Sequence, residues 1–504
     1  MFEKALISLT LCLLSFGAGA QLSLPDPTSL RLENERAWMT ASGNAAGLVT
    51  DSLKSHSSVS LRYLYGTGEY RLLPEGKSVS DFSFDTEGAV KAGKVKLWGH
   101  FSYDYIASEG SSYNTLLYDP FDTRFLYSVA DSVESGWRRQ AYNLEFKAAM
   151  PLARDKVIGG LHVAYTDRIA AKQNDPRAES YHYSVALTPS LIFRGHKGNF
   201  GFHLHYANTF ERSTPTLSNT EVNQMVYVLR GLGNYIDNVV GGNSMKTMYF
   251  RCNSMGAGVQ YEGTGRLPWL LHADLRYHLT NITESATQPR LQGRTRLFEA
   301  NLGWDMRFGR GHRAGIAFSH GGTTGVEPTT VLNMDGIWEV LSELPQCKYS
   351  KNLLTLSWDK TVGSVHDWKW VFHAALSYES ENDSYAQPNC VFAWSALKPR
   401  VRAEWRQVFR GGAALRLGAE LGGGKNLSSE YRYDGVHPDG KPASVWYPHE
   451  ISILGADYMQ EALSIGFTVP LRRCALGGDL RVRGAETFGG LCRLFLNASF
   501  SVFF

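Results

Sequence analysis

The chain has 504 residues, with 25 Tyr, 25 Phe, 12 Trp and 50 Gly but only 18 Pro. Charged residues are 20%, below the roughly 25% of soluble proteins. The net charge is +3, from 51 basic and 48 acidic residues mixed along the chain, which excludes a nucleic-acid footprint and an acidic tail. A mean hydropathy of −0.24 excludes a bundle of membrane helices, and the even spread of apolar residues excludes disorder.

The first element is an address. Residues 1–20 combine Lys4, an apolar run from Ala5 to Phe16 and the small residues Ala18-Gly19-Ala20, which predicts a secretory signal peptide cleaved before Gln21. Residues 21–56 follow as a periplasmic segment or plug, without strand-type alternation and with Pro25 and Pro27. Residues 57–504 are expected to form the barrel described next.

From Val59 onward one pattern dominates: apolar and polar residues alternate with period 2 over about ten residues, eighteen times. Between Trp269 and Leu279, Trp269, Leu271, Ala273, Leu275 and Tyr277 share one face and His272, Asp274, Arg276 and His278 the other. Phe298, Ala300, Leu302 and Trp304 likewise oppose Glu299, Asn301, Asp305 and Arg307, and Phe200, Phe202, Leu204 and Tyr206 oppose His203 and His205. Short turns such as Ala92-Gly93, Gly309 to Gly311 and Gly411-Gly412 alternate with longer connections, roughly 107–137, 211–246, 322–350 and 425–455. A periplasmic sandwich or propeller would explain the alternation but neither the aromatic face of nearly every segment nor this asymmetry. In lipid every backbone N–H and C=O needs a partner, so such a sheet must close. The fold expected is an all-β, transmembrane, antiparallel outer-membrane β-barrel of about 18 strands (range 14–18) with a short N-terminal plug. Both termini are then periplasmic.

Charges opposite the apolar stripes would each cost ~2–4 kcal/mol against lipid, so they are assigned to the lumen. The lumen-lining candidates are Arg139, Glu145, His203, His205, His272, Asp274, Arg276, Asp305, Arg307, Arg402, Glu404, Arg406, Arg416 and Glu420. No G-x-S-x-G or H-E-x-x-H occurs, so no catalytic residue, metal ligand or cofactor is assigned and no enzymatic activity is expected. In the connections, Ile337, Val340, Leu341 and Leu344 fall on one helical face of Asn333 to Leu344, and 220–240 is apolar enough to carry structure of its own. Such loops fold inward to narrow a pore or outward to dock a partner.

Five cysteines follow the signal segment. Cys347 and Cys390 fall in neighbouring connections and form a disulfide candidate. Cys474 and Cys492 fall at opposite ends of the barrel, too far apart to bond. Cys252 shares the face of Met248 and Phe250 and is expected to face lipid.

The last segment ends in Phe504, with Val502, Phe500, Ala498, Leu496 and Leu494 at every second position before it. It resembles the C-terminal signal read by the barrel assembly machinery. Gly43-Asn44-Ala45-Ala46-Gly47-Leu48 resembles the Asn-Pro-Ala-Gly-Leu element of the long-chain fatty-acid transporter family, with Ala45 in place of the proline. That resemblance implies a hatch folded into the lumen, with Asn44, Gly47 and Leu48 as plug residues. As a whole the chain resembles uncharacterised Gram-negative outer-membrane barrels. A TonB-dependent receptor does not fit, since 22 strands and a folded plug exceed the residues available. The expected role is a channel or passive transporter for a small or amphipathic solute. The alternative is a closed scaffold presenting extracellular loops to surface lipoproteins or transporter subunits. Outer-membrane lipids and the assembly machinery are the other partners, and nucleic acid is not one.

Overall fold

The computed structural model describes residues 43–51, 55–114, 127–153, 156–219, 221, 224–240, 247–285, 287–364 and 367–504. The expected signal peptide, residues 1–20, and residues 21–42 of the N-terminal segment lie outside the described residues.

The strands are β1 (His56–Gly68), β2 (Ser78–Ala92), β3 (Val95–Ser111), β4 (Val129–Ala130), β5 (Ser135–Ala153), β6 (Val157–Lys172) and β7 (Arg177–Arg194). They continue with β8 (Gly198–Thr216), β9 (Gln224–Gly231), β10 (Asn234–Val240), β11 (Met248–Gly263), β12 (Trp269–Glu284), β13 (Arg290–Phe308) and β14 (His312–Leu332). The last are β15 (Trp338–Gly363), β16 (Trp368–Tyr385), β17 (Cys390–Val408), β18 (Ala414–Arg432), β19 (Tyr458–Pro470), β20 (Ala475–Thr487) and β21 (Cys492–Phe503). Helix α1 is Gly47–Thr50 and α2 is Tyr447–Leu454.

Eighteen strands form one antiparallel sheet, which closes where β1 pairs with β21 from Ser58↔Phe503 to Gly68↔Arg493. Closure leaves no edge in the ring, as an apolar medium requires. Period 2 sets which side chain faces which way. On β12, Leu271, Leu275 and Tyr277 are exposed on the outer surface, whereas Leu270 and Asp274 are buried. The same outward row recurs on other strands, with Leu144 and Phe146 on β5, Leu204 and Tyr206 on β8, and Leu494 and Phe500 on β21. This apolar girdle around a polar interior is the surface of a membrane-spanning barrel. β1 and β21 meet at the short-turn end, where Phe504 and Ser57 exchange backbone hydrogen bonds of 2.8 and 3.2 Å.

All eighteen alternating segments correspond to barrel strands, but three expectations are corrected. The stretch 322–350 is not a long connection. β14 and β15 pair out to Leu332↔Trp338 and leave a turn of residues 333–337, so of the apolar residues read as a helical face Ile337 lies in the turn and Val340, Leu341 and Leu344 on a strand. Local composition fitted either period there, and pairing decided. Cys252 does not face lipid, because Met248 and Phe250 on its face are buried inside the barrel, and Arg251, Asn253 and Met255 point out. Here the inner surface is apolar because an inner sheet packs on it. The Cys347–Cys390 disulfide is not formed, and both are free thiols. They lie on β15 and β17 with β16 between, Tyr385 pairing with each. Two strand spacings of about 4.8 Å exceed the ~7 Å reach of a disulfide.

The connection between β8 and β11 turns into the barrel. Its β9–β10 hairpin joins β4 in a three-stranded inner sheet. Val226, Leu232, Tyr127 and Val129 pack with Met248, Phe250, Ile282, Cys347, Phe392 and Trp394 from the wall to form the main apolar core. The hairpin turn needs Gly231 (φ +107°), where a Cβ would lie 2.6 Å from the Cys347 sulfur. The Cys347 thiol donates to the Arg230 carbonyl at 3.0 Å. At the long-loop end Lys172 and Asp131 form a buried ion pair, 2.6 Å apart, that ties the chain after β4 to the wall.

Candidate functional site

At the short-turn end, residues 43–51 pack against inward residues of the barrel. The Asn44 amide donates to Gln260 Oε1 at 2.9 Å, and its Oδ1 accepts from the Ala46 backbone at 3.0 Å. Gln260 donates in turn to His203 Nδ1 at 2.8 Å, and His203 Nε2 meets Asp274 at 2.7 Å. Ala46 and Leu48 pack on Ala149, Ile158, Ile192 and Leu270. The contact is close because β6 carries Gly160, where an added Cβ would sit 2.2 Å from the Ala46 nitrogen. Two of the sequence-derived lumen residues, His203 and Asp274, are therefore brought together with Asn44, and Gly47 and Leu48 are buried beside them.

The other lumen residues form separate cross-strand pairs on the wall. Glu145 pairs with His162 at 3.2 Å, Asp305 with Arg313 at 2.8 Å, Arg416 with Asp479 at 2.6 Å and Glu420 with Arg481 at 2.9 Å. Arg402 pairs with Glu404 on its own strand. Arg406 lies over Trp368 and Arg139 over Trp137, both 5.6 Å from the ring centre. His205 bonds Thr188 at 3.0 Å. His272 packs on Gly303, Arg276 on Gly256, and Arg307 stands opposite Arg313 in register. These residues do not converge on one point; they line the wall in a band. His278 bonds Ser254 at 2.6 Å through Nδ1 and Glu299 at 3.0 Å through Nε2, a serine–histidine–carboxylate sequence in which Ser254 is buried.

The cavity lies at the opposite, long-loop end and has a volume of about 440 Å³. Its floor is the inward face of β15–β17 and β19–β21, and its cover is the β1–β2 connection, residues 113–114 and 128–129, and α2. The cover is built by backbone bonds. Glu69 and Tyr70 donate to the Cys492 carbonyl at 2.9 and 3.1 Å, fixing the connection to the barrel rim. Leu73–Glu75 makes one 3₁₀ turn, with Pro74 supplying its fixed φ. His449 of α2 donates to the Arg71 carbonyl at 2.9 Å, and the Asn114 amide donates to that of Pro74 at 2.9 Å. Tyr447, Glu450 and Ile453, spaced three apart, form the buried face of α2.

Aromatic faces dominate the cavity. Tyr113 stacks on Trp446 at 5.1 Å, Trp446 on Tyr447 at 5.1 Å, and Tyr70 tilts against Tyr458 at 5.5 Å. Burial pushes the Tyr113 phenol up to about 12, so it stays a neutral donor. Every carboxylate lining the cavity is engaged by a protein donor. Glu379 receives Lys398 at 2.5 Å and Lys351 at 3.3 Å. Glu381 receives Trp394 Nε1 at 2.6 Å, Glu450 receives Trp446 Nε1 at 2.6 Å, and Glu75 receives Arg493. Sequence reading missed this site. Tyr70 and Arg71 belong to a stretch without periodicity, and nothing local says that α2 folds back over it.

A family model described as a family of unknown function, DUF6850, matches residues 45–504. No curated protein matches the sequence. Among solved structures the chain is similar to the ferric yersiniabactin uptake receptor FyuA from Yersinia pestis, at 10% identity and a TM-score of 0.44, covering 89% of this chain and 80% of that one. It is also similar to a FadL homologue from Pseudomonas aeruginosa, at 12% identity and a TM-score of 0.37, covering 97% and 99%. The ferric preacinetobactin receptor BauA from Acinetobacter baumannii matches at 6% identity and a TM-score of 0.42, covering 89% and 80%. With its model matched along nearly the whole chain, the protein belongs to the family of unknown function DUF6850.

Proposed function

We propose that the chain is an outer-membrane barrel that passes a small or amphipathic solute, with its long loops outside and its termini periplasmic. The observation that carries this reading is the cavity of about 440 Å³ at the long-loop mouth, opening among aromatic faces and a charged wall. Pockets of that size hold small organic ligands. Residues 43–51 act as a plug toward the periplasm, and the inner sheet of β4, β9 and β10 constricts the path between. Paired inward charges give solute a polar wall without an uncompensated charge facing lipid. No enzymatic step belongs to this reading. Single-channel recording in planar bilayers tests it: steady or gated conductance is expected, and a silent protein that stays silent after the plug is displaced overturns it.

A second reading has its own observation. Past Val326 and before Cys347 the β14–β15 ribbon has no further backbone pairing with β13 or β16, and side-chain bonds such as Arg294–Glu343 tie only part of it to β13. Met334, Ile337, Leu341 and Leu344 are strongly exposed there. A two-stranded ribbon is marginal in water, and open apolar edges invite pairing. This ribbon would dock a surface lipoprotein or a transporter subunit. Purification from native membranes, with and without residues 329–342, tests it: a subunit lost only on deletion supports docking, and identical preparations oppose it.

A further inference from the structure

Among the described residues, two cations that line the cavity, Arg71 and Arg483, hydrogen-bond no carboxylate. Arg71 is 5% exposed, yet its Nε is buried without a hydrogen-bond partner. Its nearest carboxylate oxygen, on the exposed Glu69, is 3.9 Å away, beyond hydrogen-bond reach. The Nη1 donates only to the Leu72 and Leu73 carbonyls, at 3.3 Å each. Across the cavity, Arg483 lies 4.4 Å from the centre of the Phe495 ring, and among the described residues no carboxylate pairs with it. The cavity's own carboxylates are all taken by Trp, Lys, Tyr or Arg donors. Burial also pulls the Arg71 guanidinium below the ordinary arginine range, the cost of taking the cation out of water.

A buried donor without a partner is expensive, and a guanidinium is shaped to hold a carboxylate, sulfate or phosphate by paired N–H bonds. Around the two arginines the cavity is lined by the rings of Tyr70, Tyr458, Phe495 and Trp446, rigid aromatic surface that suits a ring rather than a flexible chain. We propose that the cavity is a binding site for a ring-bearing anion, held by Arg71 and Arg483 and packed against the aromatic wall. The ring is that of an acidic saccharide or an aromatic acid; the anionic ring is the chemistry the two share. This deepens the passage reading, on which it rests, by naming the class of solute met at the outer mouth.

The test is equilibrium binding to the full-length protein in detergent by calorimetry. Two pairs of probes serve: methyl β-D-glucuronide against methyl β-D-glucoside, and benzoate against benzyl alcohol. One anion is expected to bind one site per chain at least ~10-fold more tightly than its neutral twin, the size of a charged hydrogen bond. The glucuronide as the tighter anion identifies an acidic saccharide, and benzoate an aromatic acid. Arg71→Gln and Arg483→Gln should each remove ~10-fold of that preference, with unchanged circular dichroism. Arg71→Lys should keep part of it, since it restores charge but not the fork. Equal affinity for anion and neutral twin, absence of binding by all four probes, or full preference in both glutamine variants overturns the proposal. Binding is read without a membrane, so a protein that binds the anion but never conducts defeats only the passage reading. One that conducts without anion preference defeats only this inference.

Discussion

Two groups of side chains carry sharp expectations of their own. Cys347 and Cys390 are buried free thiols, while Cys492 is exposed at the start of β21. A maleimide added to folded protein should label Cys492 quickly and reach Cys347 and Cys390 only after denaturation. Mass mapping that finds the latter two joined would contradict the register of β15, β16 and β17. The Ser254–His278–Glu299 sequence has the bonding order of a nucleophile, a base and an acid, but Ser254 is only 3% exposed. It is better read as a cross-strand hydrogen-bond chain that satisfies polar groups on the wall. A fluorophosphonate should leave Ser254 unmodified. Labelling that disappears in Ser254→Ala would sink the non-enzymatic reading.

Among elements, the proposed passage makes the short segment at residues 43–51 and the inner sheet responsible for closing the barrel. The segment is held by few bonds, and its closest approach to the wall depends on the missing side chain of Gly160. A Cβ 2.2 Å from backbone cannot be accommodated by a rotamer change, so Gly160→Val should expel the segment while leaving β6 paired. The expected readout is a clear rise in bilayer conductance, or in liposome swelling with small sugars, over the parent protein. An unchanged rate would mean that these residues do not plug the path. The inner sheet is anchored differently. Breaking the buried Lys172–Asp131 pair with Asp131→Ala strands an ammonium at 0% side-chain exposure, a loss of about 3–5 kcal/mol. Protease accessibility at the β3–β5 connection should rise, and stability measured by heat-dependent gel mobility should fall. Equal protection would argue that the apolar packing around Val226 and Leu232 alone holds the sheet.

For the whole molecule, orientation is the property on which every functional reading depends. An epitope tag at Met334-Asp335, the turn of the free ribbon, or within 434–441 should be reached by antibody on intact cells. Tags at Gly309-Arg310 or Gly411-Gly412 should be reached only after the outer membrane is opened. The reverse pattern would turn the molecule over, move the cavity to the periplasmic side and remove its role as a point of first contact with solute.

The fold was legible because a barrel strand writes its environment into the sequence at every second residue. Leu271, Leu275 and Tyr277 had to be outward once Asp274 and Arg276 were inward, and eighteen repetitions of that constraint gave the strand number and closure. The same logic placed His203 and Asp274 on the inner face without revealing that they touch, because pairing across β8, β11 and β12 depends on register. Period 2 failed wherever the inner surface is itself covered. Met248 and Phe250 are apolar because the inner sheet packs on them, and nothing local separates that from a lipid-facing row. The ribbon at 327–345 was ambiguous because its apolar residues fit a helix or a strand until β14 was seen to pair with β15. The cavity was beyond reach altogether. Arg71 is separated by hundreds of residues from Trp446 and Arg483, and they meet only because closing the barrel puts the β1–β2 connection, α2 and β20 around one mouth. Alternation is a local property set by the solvent on each side of a strand, whereas a site between loops exists only after the ring has closed.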